Sequence, residues 1–249
     1  MLPFWLLGLV FCLFTLAFKR FRAISIAFLV TFGLLWLSQG RSYYVGPAYA
    51  MLLAAGAAGL ESWSLTRTTA IRRSIRSAAW IFIFIGTVIG VILVKPVATI
   101  NSELWKITSD VSGEVVEMVG WQDLTAQVAG IYTEIPDEEK PHTVILAGNY
   151  GEAGALDLYG PAYELPPVIS GSNSMWGRGY GDFEPKTVIV VGFEYGYAMN
   201  YFNSCHFAGM VKNRYDVKNE ETTRHTGLYV CRGARKSWDE LWQTMQWFQ

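Results

Sequence analysis

The stretch TVILAGNYGEAGALDLYG, Thr143 to Gly160, decides the fold class. TVILA is a short apolar run ended by a turn signal, which reads as a strand buried on both faces. GNYG is a glycine-rich turn, and EAGALDLYG, 152 to 160, reads as a helix that glycine ends. The same grammar recurs on both sides. PPVISG (166 to 171), KTVIVVGF (186 to 193) and GLYVCRG (227 to 233) read as strands. Residues 123 to 136, 201 to 210 and 237 to 248 read as helices, the first closed by Pro136 and the last opened by Ser237 as its cap. Apolar strands alternating with helices predict a three-layer α/β domain with a mostly parallel sheet.

A glycine turn after a strand raises the question of a nucleotide or phosphate site. A dinucleotide fold wants G-x-G-x-x-G and an acid about 20 residues on. Here Gly148, Gly151 and Gly154 are spaced G-x-x-G-x-x-G, and Ser170 and Gly171 stand where the acid belongs. The phosphate loop's G-K-[ST] is absent as well. No cofactor is therefore expected. Two roles remain for the loop. Asn149, Tyr150 and Glu152 would project from the C-terminal edge of the sheet, where ligands bind in such folds, and Asn173 and Trp176 would meet them from the second glycine-rich loop, 170 to 182. Such a pocket suits a sugar or a polar headgroup. Alternatively the loop is structural, and Gly151 is the residue expected to need a glycine-only backbone angle.

Other chemistry is sparse. Cys205, His206, His225 and Cys231 match no metal-ligand spacing, and no G-x-S-x-G nucleophile elbow occurs. The acid pairs Glu138 with Glu139 and Glu220 with Glu221 read as solvated turns. Residues 95 to 249 hold twelve basic and twenty acidic residues, a net of -8, which argues against nucleic acid. Cys205 and Cys231 are free to pair in an oxidising compartment, and Cys12 sits in an apolar helix.

Residues 1 to 94 differ in kind. They carry eight basic residues and one acid, Glu61, a net of +7, so a domain boundary is expected near Lys95, dividing 1–94 from 95–249. Four stretches lack Asp, Glu, Lys and Arg: 1 to 18, 23 to 40, 42 to 60 and 77 to 94. About 20 helical residues cross a hydrocarbon core of roughly 30 Å, so about four transmembrane helices are expected. The basic connectors KRFR (19 to 22) and TRTTAIRRSIR (66 to 76) place themselves in the cytoplasm, which puts residues 95 to 249 outside. Met1 leads directly into apolar sequence, which suggests the C-terminal piece of a longer polytopic protein.

RSYYVGPAYAMLLAAGAAGLESW (41 to 63), VILAGNYGEAGALDLYGPAYELPPVISGSNSMWG (144 to 177) and TVIVVGF (187 to 193) together resemble the C-terminal part of bacterial membrane glycosyltransferases. These are related to the dolichyl-phosphate-mannose protein mannosyltransferases, the glycosyltransferase 39 group. The resemblance covers about 40 to 249. It implies a multi-pass enzyme of the C type in the bacterial plasma membrane, taking a sugar from a polyprenyl-phosphate carrier on the outer face. The family's catalytic acid resembles an Asp or Glu in a first external loop, which no position here matches. The family also carries His at Ser172 and Tyr at Met175, a departure within the second loop.

Resemblance and charge agree on Arg41, the one charge in the external loop between the second and third apolar stretches, beside Tyr43 and Tyr44. An Arg there suits bidentate contact with a lipid phosphate, or snorkels to anchor its helix. Two functions follow as expectations. One is the C-terminal portion of a glycosyltransferase, inactive alone and completed by an N-terminal half or a partner subunit. The other is a non-catalytic, membrane-anchored module whose external domain binds a sugar or an envelope polymer. A blander role, scaffolding of the helices, stands beside them.

Overall fold

The computed structural model describes residues 2–39, 42–95, 97–182 and 184–248. It divides into two compact units, Met1–Lys95 and Pro96–Gln249.

The first unit is helical: α1 (Leu2–Phe14), α2 (Arg22–Leu37), α3 (Gly46–Ser64) and α4 (Thr69–Val94). Pro47 sits in the first turn of α3, where its missing N–H costs nothing. Glycine lets α1 and α3 touch backbone to backbone. A Cβ on Gly8 would strike the Leu52 carbonyl, and one on Gly56 the Phe4 carbonyl. Small residues at such a crossing gain close van der Waals packing. Glu61 lies within reach of Arg72 at 3.4 Å and Arg76 at 3.5 Å, so the one acid here is matched locally.

Fewer than the four helices expected have the length and composition of a membrane span. Among the described residues, Leu16–Leu37 and Thr69–Val94 are long and apolar enough to cross a membrane. Helix α1 has 13 residues, roughly 20 Å at the helical rise, and falls short. Helix α3 has 19 residues, but its glycines and Glu61 dilute the apolar run. The apolar stretches were counted from charges alone, and the breaks at Thr15 and Ser42 shorten the helices inside them.

The second unit opens with α5 (Glu103–Val111), the single turn α6 (Glu114–Glu117) and α7 (Trp121–Thr133). Then come β1 (Thr143–Ala147), α8 (Tyr150–Tyr159), β2 (Val168–Ile169), β3 (Thr187–Val191), α9 (Tyr195–Tyr201), β4 (Phe202–Met210), α10 (Glu220–Thr223), β5 (Gly227–Ala234) and α11 (Trp238–Thr244). The sheet order is β2-β1-β3-β5-β4. β1 pairs in parallel with both β2 and β3, while β5 is antiparallel to β3 and to β4.

The sheet is thus mixed, and the mostly parallel reading is corrected. The cause is one segment. Residues 201 to 210 are the strand β4, not a helix, and they fold back as an edge hairpin partner of β5. A disulfide between Cys205 and Cys231, directly opposite in register, fastens that edge.

The three layers are present. Val144, Leu146, Val188 and Val190 face Ala198, Phe202, Trp238, Leu241 and Trp242 on one side. Ile145, Ala147, Ile189 and Val191 face Leu124, Val128, Ile131 and Leu156 of α7 and α8 on the other. Every residue of β1 and β3 is buried, as strands covered on both faces must be. Glu139 is not the solvated acid expected. Its carboxylate accepts from the Thr187 hydroxyl at 2.6 Å and the Arg232 guanidinium at 2.8 Å, tying β3 to β5 at the end of the sheet remote from Gly148.

Candidate functional site

The chain leaves β1 to form β2 on one side, then returns to form β3 on the other side of β1. Beyond the carboxyl ends of β1 and β3 the two connections diverge, which opens a crevice at the switch point of the sheet. A cavity of about 530 Å³ lies there. Gly148, Asn149 and Glu152 line it from the β1–α8 turn, and Gly192, Phe193, Glu194 and Tyr197 from the β3–α9 turn. Glu220, Glu221, His225 and Trp247 complete the wall.

The turns meet through their glycines. Gly148 donates its N–H to the Val191 carbonyl at 2.8 Å, and a Cβ on Gly148 would strike the Gly192 carbonyl. Gly192 has φ of +77°, and a Cβ there would collide with the Glu152 carboxyl. This is the glycine-only position. Gly151 lies inside α8 without a positive φ, so the expectation placed on it is corrected: its constraint is contact with Trp121, at 3.0 Å from a built Cβ.

Glu152 does not project from the sheet edge. It is 3% exposed, and its Oε2 accepts from the backbone N–H of Gly148 at 3.0 Å and of Asn149 at 3.1 Å. Asn149 accepts in return from the Glu152 N–H at 2.7 Å, completing a capping box at the start of α8. Burial pushes the Glu152 carboxyl up to about 8, a rise that the two backbone donors oppose and that nearby Glu221 reinforces. The anion position at this helix start is therefore filled by the protein's own side chain. A phosphate has no place there.

Glu221 departs from its expectation too. It is 8% exposed at the start of α10, and its buried Oε2 has no hydrogen-bond partner among the described residues. Burial raises its carboxyl to about 7, Glu117 and Glu220 add to the rise, and an interaction with the Asn149 side chain works against it. Glu220 is exposed, as expected.

The aromatic side of the cavity is a stack. Phe193 and Tyr197 lie with ring centres 5.4 Å apart and planes 8° from parallel. Tyr201 backs Tyr197 edge-on at 5.1 Å and donates its hydroxyl to the Tyr197 oxygen at 2.7 Å. Burial, and then that donated bond, push the Tyr201 hydroxyl well above the usual phenol range. The stack is held rather than free.

Of the eight residues singled out by sequence, the structure brings Asn149 and Glu152 together in the cavity. Tyr150 is half exposed at the first position of α8, outside the lining. Asn173 and Trp176 are not among the residues that line the cavity. Trp176 is locked reciprocally to Trp242, its indole N–H donating to the Trp242 carbonyl at 2.8 Å and its carbonyl accepting from the Trp242 indole at 3.1 Å. The backbone N–H of Asn173 donates to the Trp247 carbonyl at 2.9 Å, and the Trp247 N–H to Gly171 at 3.0 Å. The second glycine loop thereby clamps the C-terminal tail and delivers Trp247 to the cavity. Tyr44 is exposed in the helical unit. Arg41 and the side chain of Tyr43 lie outside the described residues.

Sequence reasoning missed Phe193, Tyr197, Glu221 and Trp247. The signal for the capping box, Asn149 followed three residues later by Glu152, was present. Nothing in the sequence tied positions 193, 221 and 247 together. Among the described residues, no three His, Cys, Asp or Glu side chains converge as metal ligands. Comparison with family models, curated proteins and solved structures finds no match to this chain.

Proposed function

We propose that this chain is the C-terminal portion of a multi-pass bacterial membrane glycosyltransferase, whose α/β unit lies outside the plasma membrane and binds the sugar of a substrate. The observation that carries the binding role is the switch-point cavity, walled by a stacked aromatic pair on one side and carboxyls on the other. Aromatic faces pack the C–H faces of a sugar ring, and carboxyls accept from its hydroxyls, while the filled helix start leaves no seat for a phosphate. The sugar of a polyprenyl-phosphate donor, or of an acceptor, enters this cavity with its phosphate outside.

Supporting observations bear on place. No residue of α4 is buried, and Trp80 and Phe84 are each 70% exposed, as suits a helix facing lipid. The Cys205–Cys231 disulfide suits an oxidising compartment, and the basic connectors suit the cytoplasmic side. Cysteine placed at partly exposed Ser112 should react with a membrane-impermeant maleimide in intact spheroplasts. Reaction only after lysis would reverse the orientation.

Binding is tested on the full chain in detergent micelles, titrated calorimetrically with glucose and mannose, with Trp247 emission as a local reporter. Saturable binding with a fluorescence change that Trp247→Phe removes is the expected outcome. Absence of saturable binding by either hexose overturns the sugar reading.

A second reading, the non-catalytic binding module, is favoured by Glu61. It is the only acid in residues 1 to 94, and it is engaged with Arg72 and Arg76, so that unit offers no free carboxylate to act as base on an acceptor hydroxyl. The chain alone is therefore expected to transfer no sugar. Turnover of a polyprenyl-phosphate hexose by the pure chain would refute that.

A further inference from the structure

Resting on the sugar-pocket reading, we propose that the cavity is one end of a longer groove, and that the sugar it takes belongs to a linear oligosaccharide bound through at least two of its rings. Three observations converge. The first is a neighbouring cavity. It measures about 560 Å³ and shares Phe193, Glu194 and His225 with the switch-point cavity, so the two adjoin along those residues. Each alone falls within the roughly 300–1,000 Å³ of a small-molecule site.

The second is an aromatic platform in each cavity. Tyr195 and Tyr197 both lie in the first turn of α9. Residues two apart on a helix point about 200° away from each other around its axis, so these two rings serve opposite sides. Tyr197 lines the first cavity with Phe193, and Tyr195 lines the second with Tyr229. Tyr195 is 49% exposed and Tyr197 45%, which leaves both rings open to a ligand. Tyr229 is braced, its ring centre 5.6 Å from that of Tyr195 and 6.0 Å from that of Phe207. Two such platforms side by side offer apolar faces to two successive sugar rings.

The third is the polar junction where the cavities meet. Glu194 and His225 line both, with Nδ1 of His225 standing 3.9 Å from the Glu194 carboxylate. A prenyl or acyl chain laid across that junction strips water from a carboxylate and an imidazole and returns no hydrogen bond. A glycosidic link carries hydroxyls and ring oxygens past the same groups and bonds with them. Thr223, Arg224 and Thr226 add hydroxyl and guanidinium partners around the second cavity. Ring face, polar junction and ring face in succession match a chain of sugars rather than a lipid tail.

The test holds the ring constant and changes the length. The full chain in detergent micelles is titrated calorimetrically with glucose against cellotetraose and maltotetraose, and with mannose against β-1,4-mannotetraose. Four rings offered to a single pocket give a statistical gain of about fourfold, so a gain of about tenfold or more over the monomer marks a second platform. At least one tetrasaccharide is expected to show it. Tyr195→Ala should remove the gain, whereas Tyr163→Ala, an exposed ring that lines neither cavity, should keep it. A smaller gain in every pair overturns the chain while leaving the sugar pocket. Binding by none of the probes overturns both. Geranyl phosphate bound more tightly than any tetrasaccharide, and lost in Tyr195→Ala, gives the second cavity to a prenyl chain and overturns the proposal. If Tyr195→Ala unfolds, the comparison on the native chain decides alone. A gain that survives in folded Tyr195→Ala overturns the assignment of the second platform.

Discussion

The two halves of the sheet were built by different means. In β2-β1-β3 the strands run parallel, are wholly buried at β1 and β3, and derive their stability from helices on both faces. In β5-β4 they run antiparallel, and β4 leaves Phe207 and Met210 more than half exposed at the edge of the sheet. The buried half depends on packing and tolerates no added volume at its turns. The edge half relies on ladder hydrogen bonds and one covalent cross-link.

The largest effect should come from attacking the buried half at its tightest point. Gly192→Ala places a Cβ on a backbone of φ +77° and against the Glu152 carboxyl. Backbone strain and overpacking together should cost about 3 kcal/mol. Chemical denaturation of the purified chain would measure it, and a change under about 0.5 kcal/mol would show that the turn relaxes freely. The cavity should lose hexose binding in the same variant.

Next is the edge half. Replacing Cys205 and Cys231 together by Ser removes a link between residues 26 apart in sequence. About 2 to 3 kcal/mol of stability should go with it. Because β3 stands between β1 and the cross-linked strands, hydrogen exchange should quicken in β4 and β5 and stay slow in β1. Uniform acceleration would mean that the halves unfold as one.

Read over a single pH unit, the smallest effect is a slope. Folding raises the Glu152 carboxyl from its ordinary 4.5 to about 8 and that of Glu221 to about 7. Groups so raised stabilise the protonated fold, fully below the unfolded value, and lose that contribution as pH rises through the folded value. Between pH 5 and 8 the unit should therefore weaken, by about 1 kcal/mol per pH unit for each fully uncompensated carboxyl. Glu139 works in the opposite sense at the acid end. The Thr187 hydroxyl holds its carboxyl low, against its own partial burial, and Arg232 assists. That contribution is lost as pH falls below 4.5. Stability should peak near pH 5. Glu152→Gln should flatten the alkaline limb, since the amide oxygen can accept from both backbone donors as Oε2 does. An unchanged limb would place the titration elsewhere.

What was legible follows this same division. β1 and β3 were readable because burial on both faces demands a continuous apolar run, and TVILA and TVIVV are such runs. β4 was misread because FNSCHFAGM is a mixed, half-exposed segment, whose conformation comes from its partner β5 rather than from its own pattern. The apolar stretches of the first 94 residues were visible from charge alone. The lengths of the helices within them were not, because their ends are set by turns at Thr15 and around Ser42.

By itself, then, the sequence determined the division near Lys95, the α/β class of the second unit, its two central strands and the turn that opens α8. These rest on local pattern, where each residue's burial is repeated in its neighbours. Only the tertiary structure decided the direction of β5 and β4, the inward turn of Glu152, the burial of Glu221 and the arrival of Trp247 beside Asn149. Glu152 and Glu221 lie 69 positions apart and Asn149 and Trp247 lie 98 apart, and no local periodicity links them. They meet because the chain reverses between β2 and β3, and the crevice that reversal opens belongs to the topology rather than to any one segment.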